Sequence, residues 1–295
     1  MGQKDISEKT FIFLNDVFAD IFNVLVFKGA SVIEEDSLTD AIVRSQYKAE
    51  TGKLHEEERD AAKMWKHHNF NLVLFGVENQ TQPDGDMPFR IIGYDGAGYR
   101  SQMLEDKKER FPIVTIVLYF GEKLWNKPIT LKGCFKQELV ETWEYQVLNE
   151  YVNDYKCHVF DIPRLSMETV KQFQSDFRVV AEYFVNAYIN PEYEPEEKVI
   201  RHVDEFLKLM SVLTGDSQYE TMAKSKDFQE KKNGGITMCN VLEYRAEKGR
   251  TEERNNLIIR MYENNLSSEQ IARITGLSIK EVEHIRDSAT KEDFL

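Results

Sequence analysis

The segment "FNLVLFGV" (70–77) constrains the fold more than any other part of the sequence. It is short, and it is apolar on both faces of the strand that it would form. Such a run is typical of a strand that other layers cover on both sides. "FPIVTIVLYFG" (111–121) has the same character, and "KCHVFDIP" (156–163) predicts a third strand. Helical patterns separate these strands, which predicts an α/β or α+β domain.

Several stretches around the strands have helical or ambiguous character. Residues 8–28 carry apolar side chains at helical spacing, and Gly29 fits the end of that helix. "EEERDAAKMWK" (56–66) consists of good helix formers and predicts a second helix. Residues 89–104 predict a third helix. Residues 34–55 are polar with a brief apolar pattern, and they fit a lid, an exposed helix or a loop.

The chain beyond the last strand is mainly helical by pattern. We predict a first domain over residues 1–190, a helical and linker segment over 191–236, and a helical tail over 237–295. Residues 167–189 carry one apolar stripe and predict a continuous helix. Residues 213–236 are polar, as expected of a linker or a mobile connection.

The tail contains a second recognisable pattern in "NNLSSEQIARITGLSIKEVEHIRD" (264–287). Ser267 or Ser268 caps a helix, "TGLS" makes a turn, and a second apolar stripe follows, which is the spacing of a helix-turn-helix. The second helix carries few basic residues for one that enters a DNA groove. Base reading and packing against the first domain or a second subunit therefore both stay open.

Composition limits the classes of partner. The formal net charge of −13 disfavours non-specific contact with nucleic acid, so any DNA contact has to depend on a local site. The three cysteines lie far apart without a CxxC pair, which predicts neither a zinc ribbon nor a disulfide framework. No segment approaches the length of a membrane span, and the amino terminus lacks a signal-peptide pattern. We expect a cytoplasmic protein with no membrane partner and no small-molecule cofactor.

A carboxylate ends the first buried strand, in "GVENQTQ" (76–82). Glu78 and Gln80 share one face of the strand, at the end where ligands bind in open α/β sheets. Asp60 lies eighteen positions upstream and is able to fold back beside Glu78. Two converging carboxylates make a hard-oxygen site suited to Mg²⁺. The same pattern also fits a strand-end glutamate that meets an arginine or a helix amide.

Several words of the sequence occur in a defined order: "RDAAK" (59–63), "GVENQT" (76–81), "MPFR" (87–90), "YDGAGY" (94–99) and "YRSQ" (99–102). In their order and spacing, the sequence resembles the Rpn family of recombination-promoting nucleases. This family is also described as transposases of the PD-(D/E)XK nuclease superfamily. The helical segment at residues 13–29 fits the opening segment of the family.

The resemblance implies a restriction-endonuclease-like core, followed here by a helical carboxyl-terminal module. It also implies Mg²⁺-dependent DNA cleavage, with DNA as the partner. Asp60 then corresponds to the motif aspartate and Glu78 to the motif glutamate, both as metal ligands. Gln80 occupies the position where the superfamily usually has lysine. An amide does not bring the positive charge of lysine, so Lys63, Arg90 or Arg100 is expected to supply it.

Three residues of the same stretch are candidates for contact with DNA. Tyr99 and Gln102 lie about one helical turn apart and would face the DNA backbone with Arg100, and Tyr99 equally fits an aromatic residue at the edge of the core. The sequence as a whole predicts a Mg²⁺-dependent endodeoxyribonuclease of the recombination-promoting type. The alternative is a catalytically silent DNA-binding or assembly protein that keeps the nuclease fold. A homodimer is also possible. Its geometry would decide whether the product is a nick or a double-strand break.

Overall fold

The computed structural model describes residues 10–41, 44–48, 54–58, 60–67, 70–104, 110–187, 193–225, 228 and 235–292. The chain divides into two compact units, Met1–Gly235 and Ile236–Leu295. The strands of the first unit are β1 (Leu38–Asp40), β2 (Arg44–Lys48), β3 (Leu54–Glu58), β4 (Ala61–His67), β5 (Phe70–Gln80), β6 (Ile113–Tyr119), β7 (His158–Asp161) and β8 (Val199–Ile200). Its helices are α1 (Asn15–Leu25), α2 (Met87–Leu104), α3 (Gln137–Val140), α4 (Trp143–Leu148), α5 (Met167–Val170), α6 (Phe177–Ala187), α7 (Val203–Thr214) and α8 (Gln218–Lys224).

Within the described residues, five strands form one mixed sheet in the order β1-β4-β5-β6-β7. β4 runs antiparallel to both β1 and β5. β5, β6 and β7 run parallel to one another, so their carboxyl ends share one edge of the sheet. β2 and β3 pair antiparallel with each other. The three strands predicted from the sequence are confirmed as β5, β6 and β7.

Helices cover both faces of the sheet. On one face, Phe22 of α1 packs on Phe75 of β5 with ring centroids 4.3 Å apart, and Phe184 of α6 packs near Phe120 at 5.1 Å. On the other face, α2 buries a cluster with β6: Met87, Ile91, Tyr94, Val117 and Cys157. The predicted α/β class is confirmed, and the layering agrees with a restriction-endonuclease-like core.

The helix predicted over residues 56–66 is wrong, because β3 reaches Glu58 and β4 begins at Ala61. Ala61, Ala62 and Lys63 are buried and pair with β5. Tertiary pairing therefore overrides the local helix propensity of this segment. The described part of residues 34–55 also contains short strands, which the polar sequence did not predict.

Residues 167–189 do not form one continuous helix, because α5 ends at Val170 and α6 begins at Phe177. Two carboxylates stabilise the segment between α5 and α6 by accepting backbone hydrogen bonds. Asp20 of α1 accepts two backbone hydrogen bonds from the break, at 2.8 and 2.9 Å. Asp176 accepts two more from the turn that leads into α7, also at 2.8 and 2.9 Å. These partners are distant in sequence, so the local apolar stripe gave no indication of them.

The polar stretch at 213–236 contains α8, so it is not wholly a linker. Tyr219 and Met222 of α8 are fully buried. Their spacing places both side chains on one face of the helix, although the stretch is polar on average. A short apolar pair within a polar segment is sufficient to dock a helix of seven residues.

The second unit is helical, with a short strand β9 (Ile236–Thr237) followed by α9 (Met238–Glu263), α10 (Ser268–Thr275) and α11 (Ile279–Glu292). Ser267 caps α10 and forms a capping box with Gln270. Gly276, at φ +75°, ends α10 in the left-handed conformation. One buried residue from each helix forms the core of the unit: Ile258, Ile271 and Val282. The predicted helical hairpin is confirmed. Among the described residues of both units, none of the helices combines the length and the apolar character that crossing a bilayer requires.

Candidate active site at the carboxyl edge of the sheet

Asp60 and Glu78 occupy neighbouring positions at one edge of the sheet. β4 runs antiparallel to β5 with Ala61 opposite Val77, so the residue before β4 lies beside the end of β5. The Asp60 carboxylate accepts a hydrogen bond from the backbone N–H of Asn79, with 2.6 Å between N and Oδ2. The structure therefore brings the two predicted carboxylate residues to neighbouring positions.

Arg90 covers the Glu78 carboxylate. Glu78 lies on the face of the sheet that α2 covers, and its side chain is 0% exposed. Arg90, in the first turn of α2, donates from Nη2 to Glu78 Oε2 at 2.9 Å and to the Tyr94 hydroxyl at 3.2 Å. Its other terminal nitrogen, Nη1, donates to Asp84 Oδ2 at 3.0 Å. One guanidinium thus bridges a fully buried carboxylate and a partly exposed one.

The electrostatics of this contact keep Arg90 charged. Burial opposes the charge, but the adjacent Glu78 carboxylate and the Tyr94 and Asp84 side chains outweigh it and raise the pKa of Arg90 above its ordinary value. Of the three residues considered for the charge of the motif lysine, Arg90 is the one that the structure places against Glu78.

Lys63 and Arg100 lie elsewhere. Lys63 sits on the opposite face of the sheet and is 1% exposed, with Nζ 2.6 Å from Asp40 Oδ1 and 4.3 Å from the ring centroid of Phe13. The structure does not bring it to Glu78. Arg100 is exposed on α2, ten residues beyond Arg90, which is about 15 Å along a helix.

Tyr99 and Gln102 hold the segment that leads into β6. Gln102 is 2% exposed, and its amide makes two hydrogen bonds with the backbone of Phe111. Gln102 Nε2 donates to the Phe111 carbonyl at 3.1 Å, and the Phe111 backbone N–H donates to Gln102 Oε1 at 3.0 Å. The Tyr99 hydroxyl accepts a hydrogen bond from Ile113 N at 3.2 Å. In this structure the Gln102 side chain is committed to the backbone and does not face solvent, where DNA would bind.

Sequence reasoning missed Asp84 and a second buried network under α2. Asp95 of α2 is buried, and its carboxylate accepts hydrogen bonds from Thr115 Oγ1 at 2.7 Å and from the Tyr155 hydroxyl. Asp95 stands in the word "YDGAGY", and Asp84 stands in "PDGD" between β5 and α2. The acidic residue within each of these words was the only sequence feature that indicated a polar contact there.

The loop 120–127 extends the site beyond the strand ends. The backbone N–H of Phe120 donates to the carbonyl of Gln80, the last residue of β5, at 2.8 Å. Arg164 donates to the Gly121 carbonyl at 2.6 Å, and the Tyr119 hydroxyl donates to the Lys123 carbonyl at 2.7 Å. The loop is thus fixed by side chains from two strand ends.

Two lysines are exposed on this loop, Lys123 and Lys127. The indole N–H of Trp125 donates to the carbonyl of Lys127 at 2.9 Å, which orients that end of the loop. The Lys127 stem lies against Gly85, next to Asp84. Both cationic side chains therefore belong to the same edge of the sheet as Glu78.

The carboxylates at this edge decide whether Mg²⁺ fits there. Among the described residues, no group of three or more His, Cys, Asp and Glu side chains is arranged to hold a metal ion. Mg²⁺, however, is usually held by one or two carboxylates together with water and substrate phosphates. Asp60 and Glu78 lie at adjacent positions, and Glu78 would offer its oxygens once Arg90 leaves its carboxylate. The residues therefore fit Mg²⁺ shared with a phosphate group, and they do not fit an all-protein cage.

A cysteine lies in the core below α2, and its reactivity is predictable. Burial, with smaller effects from Cys134 and Asp95, raises the pKa of Cys157 to about 12. Only about one thiol in ten thousand is then ionised at pH 8. We expect Cys157 to resist iodoacetamide in the native protein at pH 8 and to react fully in urea, as read by mass spectrometry. Equal rates in the two conditions would contradict the buried environment.

Residues 62–211, just over half of the chain, match the family model described as "Putative transposase, YhgA-like". The chain belongs to this transposase family, which is the Rpn group of the PD-(D/E)XK type. The matched segment contains Glu78, Gln80 and Arg90, and it begins two residues after Asp60. No curated protein and no solved structure matches the chain.

Proposed function

We propose that this transposase-family protein is a Mg²⁺-dependent DNA endonuclease that hydrolyses phosphodiester bonds in recombination. The proposal is carried by two contacts at the carboxyl edge of the sheet: Asp60 accepts from the backbone N–H of Asn79, next to Glu78, and Arg90 donates to Glu78. Two carboxylates and a nearby cation are groups that metal-dependent phosphodiester hydrolysis uses. The family membership of the chain supports the same reaction class.

Each residue has a defined role in this proposal. Asp60 and Glu78 would hold Mg²⁺. When bound, the ion polarises the scissile phosphate and lowers the pKa of a water molecule. Arg90 neutralises charge on the phosphate oxygens, in place of the motif lysine. Gln80 shares the face of Glu78 by strand alternation, and its amide orients the attacking water. Activity on supercoiled plasmid tests these roles: Asp60→Asn is expected to cut at a rate at least about 100-fold below wild type.

The exposed loop lysines support DNA as the substrate. In a protein with a net charge of −13, phosphate contacts have to come from local cations, and Lys123 and Lys127 are exposed on the loop at the site edge. We expect the double variant Lys123→Ala/Lys127→Ala to bind duplex DNA more weakly. The slope of log K against log[salt] should fall in magnitude by about 2, because each lost phosphate contact contributes about 0.9. Fluorescence anisotropy in Ca²⁺, at several salt concentrations, measures the slope.

A matched control comes from lysines away from this edge. Lys66 lies at the other end of the sheet, opposite Asn71, and Lys208 is exposed on α7. The double variant Lys66→Ala/Lys208→Ala removes the same charge and should keep the wild-type slope. Equal slopes for the two double variants would mean that the loop does not contact phosphate.

A catalytically silent DNA-binding or assembly protein is the second candidate. It is favoured by the absence of the motif lysine at Gln80 and by the full burial of Glu78 under Arg90. It predicts DNA binding with the salt dependence above and no cleavage at any Mg²⁺ concentration. Plasmid cleavage that is lost in Asp60→Asn would exclude it.

A further inference from the structure

We infer that Arg90 moves between two carboxylates as the site loads, and that Asp84 is the positioning residue that retains it once metal takes Glu78. This inference rests on the proposed function, since it assumes that a divalent cation binds Glu78. The starting observation is a steric one. The Glu78 side chain is 0% exposed, so no ion reaches its oxygens while the present contacts persist. Arg90, at 31% exposed, is the covering group with access to solvent.

Asp84 is built to hold the displaced guanidinium. Its Oδ2 already accepts from Arg90 Nη1 at 3.0 Å, while its Oδ1 accepts from the backbone N–H of Asp86 at 2.8 Å. The hydrogen bond from Asp86 closes a turn of the Asx type, which fixes the Asp84 carboxylate before Arg90 moves. The Asp84 side chain is 28% exposed, so this ion pair stays close to solvent and to an incoming phosphate.

The exchange couples metal to DNA. In the resting state Glu78 neutralises Nη2 and Asp84 neutralises Nη1. A cation on Glu78 replaces the Arg90 charge there. Nη2 of Arg90 is then released to donate to a phosphate oxygen, while Nη1 stays paired with Asp84. Metal and DNA should therefore bind more tightly together than separately, since each favours the same position of Arg90.

The experiment measures Mn²⁺ binding by electron paramagnetic resonance of the free ion, without DNA. Arg90→Gln should bind Mn²⁺ at least about fivefold more tightly than wild type, because the competing cation is gone. Arg90→Lys, which keeps a charge but cannot reach both carboxylates, should fall between the two. Arg178→Gln removes an arginine from an ion pair with Glu196 and is the matched control, expected to equal wild type.

Asp84 is tested by a double-mutant cycle. Asp84→Asn should weaken Mn²⁺ binding in the wild-type background, since Arg90 then stays on Glu78, and should have little effect in Arg90→Gln. Weaker binding in Arg90→Gln, or an equal effect of Asp84→Asn in both backgrounds, would overturn the exchange. Mn²⁺ binding that survives Glu78→Gln unchanged would also overturn it, since the ion then binds elsewhere.

These outcomes separate the exchange from the nuclease proposal. A protein that shows the Arg90 and Asp84 effects on Mn²⁺ but never cuts DNA keeps the exchange and loses the nuclease assignment. A protein that cuts DNA while Arg90→Gln weakens Mn²⁺ binding keeps the nuclease assignment and loses the exchange.

Discussion

Glu78→Gln is expected to lower the rate of plasmid cleavage at least about 100-fold while leaving the fold and metal-free DNA binding intact. The change removes a charge and keeps the volume, so the fully buried position stays filled. A neutral amide binds Mg²⁺ far more weakly than a carboxylate, because the ion prefers charged oxygen ligands. Arg90 keeps its contact with Asp84, which limits the loss of folding stability. Initial rates on supercoiled plasmid, with anisotropy for binding, measure both parts.

A second buried glutamate provides the control. Glu182 of α6 is also buried, but α6 packs on the face of the sheet opposite α2. Glu182→Gln makes the same chemical change away from the site and should cut DNA at the wild-type rate. If Glu78→Gln cuts as fast as Glu182→Gln, the chemistry does not take place at Glu78.

Gln102→Ala is expected to lower the free energy of unfolding by about 2–6 kcal/mol. The substitution removes both amide hydrogen bonds to Phe111 and leaves a buried N–H and a buried carbonyl without them. Each unsatisfied group costs on the order of 1–3 kcal/mol. Gln102→Glu should also destabilise the protein, because a carboxylate cannot donate to the Phe111 carbonyl. Urea denaturation followed by circular dichroism gives the change.

The same experiment separates the structural role of Gln102 from the DNA contact suggested by its spacing from Tyr99. Arg100→Ala on the exposed surface of the same helix should change stability by less than about 0.5 kcal/mol and should weaken DNA binding. A Gln102→Ala protein with unchanged stability and weakened DNA binding would contradict the structural role and support the DNA contact.

Local patterns were sufficient for the elements whose burial is continuous. β5 and β6 carry apolar residues on both faces, and such runs bounded by turn residues are typical of strands that are covered on both sides. The capping residue Ser267 and the turn glycine Gly276 predicted both ends of α10 to within one residue. β4 escaped prediction because good helix formers in "RDAAKMWK" are held as a strand by pairing with β5, which lies later in the chain.

The candidate site was predictable as a list of residues and not as an arrangement. Asp60, Glu78 and Arg90 were all named from the words that contain them, and the structure places Asp60 against the backbone of Asn79 and Arg90 against Glu78. Which cation meets Glu78 depends on the face of the sheet. Lys63 stands opposite Phe75 in the β4–β5 ladder and so faces α1, whereas Arg90 comes from α2 on the face of Glu78. Sequence spacing does not record which helix covers which face.

The most direct test of the central claim is incubation of supercoiled plasmid with the wild-type protein in Mg²⁺ and in EDTA. Mg²⁺-dependent hydrolysis at the Asp60–Glu78 edge predicts nicked or linear product in Mg²⁺ and intact plasmid in EDTA. Intact plasmid in Mg²⁺, from protein that binds DNA, would contradict the nuclease assignment and leave the silent DNA-binding protein as the function of this fold.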